Sequence, residues 1–147
     1  MQCNFNKPQA LAIIKGGPTA PRVIGTVKFY QKKTCVLVVA DIKNLPYTDT
    51  GFFGFHIHEG TDCGGVGFMD SKSHYNPFVT SHPKHAGDLP PLILCGNRAH
   101  SSVLTDRFNV ADIIGRTVII HNMPDDFTTQ PSGNAGEKIA CGIIKKP

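Results

Sequence analysis

No part of this chain sustains the 3.6-residue apolar period of an amphipathic helix. Its apolar segments are short, rich in Val and Ile, and cut off by Gly, Pro, Asn and Asp. β-branched side chains fit a pleated surface, and the interrupting residues are those that make turns. The pattern therefore predicts an all-β chain. Strands are expected near Ala10–Lys15, Val23–Gln31, Cys35–Leu45, Phe52–Glu59, Leu92–Asn97, His100–Asp106, Arg116–Asn122 and Lys138–Lys145. Tight turns are expected at Gly16-Gly17-Pro18 and Gln31–Thr34. An apolar share of 40% over 147 residues supports one core, so residues 1–147 read as a single domain. The longest aliphatic run, Val36 to Ala40, is far too short to span a membrane.

Charge excludes little but is informative. Fifteen Lys and Arg against 11 Asp and Glu give a net charge of +4. The densest basic pairs are only Lys32-Lys33 and Lys145-Lys146. A nucleic-acid surface normally concentrates basic residues in a stripe with aromatics or on a reading helix, so no nucleic-acid partner is expected. The start, MQCNFNKPQALAIIKGG, lacks the basic, apolar and small-residue regions of a secretory signal. A cytoplasmic location is favoured, with a periplasmic or extracellular mature protein as the alternative. Five cysteines leave at least one thiol unpaired within a monomer.

The histidines carry the chemistry. Side chains alternate faces along a strand, so in Phe55-His56-Ile57-His58 the two imidazoles share one face and Phe55 and Ile57 the other. The connection from Gly60 to Pro91 has no strand pattern, and a loop of that length in a compact domain is usually functional or disordered. It contains His74, and then His82, His85 and Asp88 close together. Three imidazoles and a carboxylate meet the four-coordinate demand of zinc. His121 ends the run Val118-Ile119-Ile120, and alone it reads as a strand-end histidine. Taken together, His56, His58, His74, His82, His85, Asp88 and His121 are too many ligands for one zinc and one short of two four-ligand sites. An imidazole that bridges two ions removes the shortage. Spacing alone does not fix the metals. His100 stands on a strand with no partner nearby and reads as structural or surface.

With these motifs in place, the sequence resembles the copper/zinc superoxide dismutase family over nearly its whole length. The residues that carry the resemblance are Gly54-Phe55-His56-Ile57-His58-Glu59, His74-Tyr75-Asn76-Pro77, His85-Ala86-Gly87-Asp88-Leu89-Pro90, Gly115 through His121, and Gly133-Asn134-Ala135-Gly136 through Ala140-Cys141-Gly142. The short gap from His58 to Cys63 and the stretch Asp126 to Pro131 resemble the bacterial branch. The resemblance implies an eight-stranded antiparallel Greek-key barrel or sandwich with two long functional loops. It implies that copper is held by His56, His58, His74 and His121. It implies that zinc is held by His74, His82, His85 and Asp88, with His74 as the bridge. Asp125 would link His56 to His82 from outside the ligand set. Cys63 and Cys141 would form a disulfide, leaving Cys3, Cys35 and Cys95 as free thiols, with Cys35 a buried core thiol.

The activity implied is conversion of superoxide to O₂ and H₂O₂ by a cycling copper ion bridged through His74 to a structural zinc. His74 and Lys138 would be its catalytic residues. Lys138 stands where the family motif has an arginine. A lysine keeps the charge and loses the forked geometry, so activity is expected with weaker docking of the anion. The loop Met123–Glu137 is shorter than in the animal members of the family that it resembles and lacks most of the charged residues that line their channel. A non-catalytic copper- and zinc-binding module for metal delivery or storage is the alternative. A blue-copper carrier needs a Cys ligand beside the histidines, and none stands near His121 in sequence. The substrate implied is a small molecule, the superoxide anion, with no membrane involved. Family members dimerise in different ways, which leaves a homodimer open.

Overall fold

The computed structural model describes residues 7–147, so Cys3 lies outside the described residues. Nine strands form among the described residues: β1 (Ala10–Gly16), β2 (Ile24–Gln31), β3 (Val36–Lys43), β4 (Phe52–Phe53), β5 (Phe55–His58), β6 (Leu92–Ile93), β7 (Arg98–Thr105), β8 (Thr117–His121) and β9 (Lys138–Lys145). Seven make one curled antiparallel sheet in the order β5-β8-β9-β1-β2-β3-β7, and β4 and β6 make a separate two-stranded ribbon. β1 to β3 form a meander, whereas β9 returns from the end of the chain to pair with β1. This is the all-β architecture expected from the short Val/Ile segments.

The middle strands alternate inward and outward side chains. Ala10, Ala12 and Ile14 of β1 and Val36, Val38, Ala40 and Ile42 of β3 are buried, with more exposed neighbours between them. β5 and β8 differ, because every residue in both is buried. Phe55, Ile57, Val118 and Ile120 join the core, so His56, His58 and His121 lie under a second cover on the other face. That cover is loop. Residues 73–75 and 87 run along the free edge of β5: the Ile57 N–H donates to the Gly87 carbonyl, and Tyr75 N–H donates to that of Ile57. An edge strand is thereby paired off with the loop that carries the remaining histidines.

Three expectations are corrected. The segment Phe52–Glu59 is two strands, because Gly54 leaves the β4–β6 ribbon and exchanges backbone hydrogen bonds with Met123 and His121. A β-carbon at Gly54 would come within 2.8 Å of the Ala135 β-carbon, so the approach requires glycine. The strand expected over Leu92–Asn97 stops at Ile93, since Leu94 donates to Gly51 and Cys95 to Arg98 close a turn. Cys35 stands just before β3 and is half-buried instead of in the core. A short helix at Val110–Ile113, capped reciprocally by Asn109 and Asp112, was not anticipated. No helix among the described residues is long and apolar enough to cross a membrane.

Candidate metal centre

β5, β8 and the 59–91 loop deliver six histidines and an aspartate to one buried cluster. His56 and His58 come from β5, and His121 comes from the end of β8, where the ladder with β9 shifts register. Side-chain ligand atoms of His56, His58, His74 and His121 all lie within 4.8 Å of one another, as do those of His74, His82, His85 and Asp88. His74 belongs to both groups. These are the seven residues and the two sets expected from the sequence, and His100 stands apart from them. His100 is exposed on β7 and meets Asp41 Oδ1 across the β3–β7 pair at 2.6 Å.

The ring orientations point to ions. His58 Nδ1 donates to the Lys72 carbonyl oxygen at 2.8 Å, and His121 Nδ1 to that of Gly136 at 3.2 Å. His56 Nε2 and His82 Nε2 donate to the two oxygens of Asp125 at 2.7 and 2.8 Å. Each outer bond commits one ring nitrogen as the N–H donor and leaves the other as a bare lone pair. Those inner nitrogens, His56 Nδ1, His58 Nε2, His82 Nδ1 and His121 Nε2, are buried without a hydrogen-bond partner, and so is His74 Nε2. Buried polar atoms are normally satisfied, so five orphaned nitrogens in one cluster are the signature of a metal site.

His74 faces both ways. Its Nε2 is the orphan beside His56, 4.0 Å away between ring centres, while its Nδ1 lies 2.7 Å from Asp88 Oδ1 and 3.3 Å from His85 Nδ1. In the second group, His82 Nδ1 and His85 Nδ1 lie 3.1 and 3.3 Å from Asp88 Oδ2. A tetrahedral ion with ligands at 2.0–2.1 Å separates neighbouring ligand atoms by about 3.3 Å. The His82–Asp88, His85–Asp88 and His74–His85 separations of 3.1, 3.3 and 3.3 Å match that spacing.

Burial sets the electrostatics. It holds His121 down at about 3, with the nearby His56 adding to the effect. Burial likewise lowers His58 well below the usual histidine range, and also lowers His56 and His85. Burial opposes ionisation of Asp125, but hydrogen bonds from His56, the Phe127 N–H and His82 outweigh it and hold the carboxyl well below its ordinary range. Burial thus favours the neutral form of His56, His58, His85 and His121, and the carboxyls of Asp88 and Asp125 are held below their ordinary range, the forms that metals bind.

A consequence follows for the metal-free protein. Unfolded histidines take up protons near pH 6.5, whereas these stay neutral in the fold until lower pH. The unfolded state then binds more protons, so stability present above pH 6.5 is lost as pH falls toward about 3. The Tm of the metal-free protein is expected to fall steadily below pH 6.5. A Tm independent of pH from 7.5 to 4.5 would contradict the burial of neutral imidazoles.

Outer residues lock the cluster in place. Gly133, at φ 72°, passes so close that a β-carbon there would lie 2.0 Å from Asp125 Oδ1 and 2.6 Å from His82 Nε2. The Cys63–Cys141 disulfide ties the loop to β9. Lys138 Nζ donates to Ser71 Oγ and the Lys72 carbonyl at 2.9 Å, and to the Phe68 carbonyl at 3.4 Å. Two residues escaped sequence reasoning. Gln130 accepts from the His82 N–H at 2.9 Å and donates to its carbonyl at 2.6 Å, and Arg107 donates to the carbonyls of Pro83 and His85 at 2.8 and 3.2 Å. Gln130 lies within the family-like stretch Asp126 to Pro131, which is a weak signal. Nothing in the sequence marks Arg107, because it binds main chain.

The cluster opens to solvent through a cleft of about 420 Å³, lined by His58, His121, Lys72, Ser132, Gly136 and Lys138 among others. The family model for copper/zinc superoxide dismutase matches residues 23–144. The chain is 38% identical to a protein of Legionella pneumophila named superoxide dismutase [Cu-Zn], over 85% of this chain and 80% of that protein. It is 31% identical to superoxide dismutase [Cu-Zn] 1 of Aquifex aeolicus, over 83% and 80% of the two chains. It is 33% identical to superoxide dismutase [Cu-Zn] 4 of Dictyostelium discoideum, over 94% and 98%. With one imidazole shared by two four-ligand groups and a family match across most of its length, this chain belongs to the copper/zinc superoxide dismutase family.

Proposed function

We propose that the protein is a superoxide dismutase whose copper is held by His56, His58, His74 and His121 and whose zinc is held by His74, His82, His85 and Asp88. The observation that carries this reading is His74, whose two nitrogens face two different four-ligand groups. When bound, copper supplies alternating one-electron oxidation and reduction of superoxide, and zinc, which has no redox chemistry, supplies a fixed charge beside it. The residues do the rest. His58 and His121 line the cleft, keep a buried, unpartnered Nε2 each, and are fixed at Nδ1 by the Lys72 and Gly136 carbonyls. His74 Nε2 is the nitrogen where a proton can be held next to that cleft, and Asp88 anchors the same ring at Nδ1. Lys138 places a positive charge at the cleft for an anionic substrate. A delivery or storage module has no need of a complete four-histidine set opening on a cationic cleft, so the residues favour catalysis.

The assignment is tested by loading. The protein is expected to take up one copper and one zinc per chain. His121→Ala is expected to keep zinc, to lose tight copper binding and to lose dismutation. A variant that kept both copper and full activity would remove His121 from the copper set and overturn the assignment.

A further inference from the structure

The cleft has two lysines, and the fold uses them differently. Lys138 sits on β9 with its three ammonium protons matched to three acceptors: Ser71 Oγ, the Lys72 carbonyl and the Phe68 carbonyl. It contributes charge, but its hydrogen-bonding capacity is spent on tying the 66–72 segment to the sheet. Lys72 lines the same cleft and is exposed, and its ammonium has no partner among the described residues. Its main chain is a structural node. The Lys72 carbonyl accepts from both His58 Nδ1 and Lys138 Nζ. Its backbone lies at φ 60°, ψ −145°, close to a region occupied almost only by glycine. A lysine thus stands where glycine would suit the backbone better. Among the described residues Glu59 is the one carboxylate on the cleft lining, so two ammonium groups against one carboxylate leave an excess positive charge that vanishes without Lys72.

We propose that Lys72 is the anion-capturing residue of this cleft: its free ammonium draws small anions in and hands them toward His58 and His121, while Lys138 serves mainly as a loop anchor. The inference rests on the dismutase reading and names a determinant of anion entry that Lys138 alone does not supply. Lys72 lines the cleft, where an exposed charge acts on approaching ions.

The test is a charge series at one position, Lys72→Arg, Lys72→Gly and Lys72→Glu, in protein loaded with copper and zinc. Azide serves as the probe anion, titrated by copper absorption. Dismutation is measured at 10 mM and 500 mM salt. At low salt, azide affinity and rate are expected to fall about threefold for Lys72→Gly and about tenfold for Lys72→Glu, and to hold within about twofold for Lys72→Arg. The differences should collapse at high salt, because the Debye length shrinks from about 30 Å at 10 mM to only a few ångströms near 1 M. Lys72→Gly should have a Tm no lower than the unsubstituted protein, since glycine adopts positive φ freely. Azide affinities and low-salt rates that ignore the charge at position 72 would overturn the proposal, and a lower Tm for Lys72→Gly would contradict strain there. Loaded protein that does not consume superoxide at all would instead remove the dismutase reading, so the two failures are distinguishable.

Discussion

Asp125→Ala is expected to weaken binding of both metal ions, by about 10–100-fold each. The carboxylate accepts from His56 Nε2 with one oxygen and from His82 Nε2 with the other, at 2.7 and 2.8 Å. Both bonds are buried, and both hold the N–H on the outward nitrogen so that the Nδ1 lone pair faces an ion. Alanine removes both acceptors at once. The two rings become free to rotate or to change tautomer, and two buried N–H groups are left unpaired, at a cost of about 1–3 kcal/mol each. Asparagine retains one acceptor oxygen, so Asp125→Asn should fall between the native protein and the alanine variant. Competition against a chromogenic chelator, run separately for copper and zinc, measures both affinities. If one affinity fell and the other did not, Asp125 would not couple the two halves of the centre. If neither fell, ring orientation would be set elsewhere.

Replacing Cys63 and Cys141 together by Ser is the second large effect. The bridge joins residues 78 apart in sequence. Closing a loop of that size in the unfolded chain stabilises the fold by roughly 4–5 kcal/mol on chain entropy. A domain of this size is typically stable by about 5–15 kcal/mol, so the loss is a large fraction of the total. The location adds to it. Cys141 is buried on β9, and Cys63 opens the segment that ends at Lys72, whose carbonyl orients His58. Urea unfolding of metal-free protein should show a much lower midpoint for the double serine variant, and copper affinity should fall with it. A loss below about 1 kcal/mol would show that the bridge is redundant, the loop being already held by Lys138, by Arg116, which donates to the Glu59 carbonyl, and by the edge pairing along β5.

The parts of this molecule that were legible in sequence are those with a period or a dense pattern. Strand alternation placed His56 and His58 on one face and Phe55 and Ile57 in the core, and both are found so. The crowding of His74, His82, His85 and Asp88 in a loop announced a site because an ordinary loop has no use for four such side chains. What was not legible depends on tertiary partners. Gly54 ends one strand and starts another only because Met123 and His121 compete for its backbone. Leu92–Asn97 looks like a strand, yet Gly96, at φ 64°, turns the chain and the segment beyond Ile93 finds no ladder. The helix at Val110–Ile113 is too short to show a period, although Asn109 and Asp112 spell a capping box. Gln130 and Arg107 grip main-chain atoms of the zinc-side loop, and a contact to main chain leaves no mark on the residue type it meets.

The same distinction separates the two lysines of the cleft. Lys138 was visible because it replaces a residue in a recognisable stretch. Lys72 is an ordinary exposed lysine in sequence, and only its positive φ, its shared carbonyl and its free ammonium distinguish it.

The most direct measurement is superoxide decay after pulse radiolysis, with the protein carrying one copper and one zinc. A bridged centre whose ligand set is buried beside an open cleft predicts decay that is first order in protein and far faster than free copper provides. It also predicts that the rate survives addition of EDTA, because the ligand nitrogens are buried and held from behind. A rate no higher than that of free copper, or one abolished at once by EDTA, would contradict it.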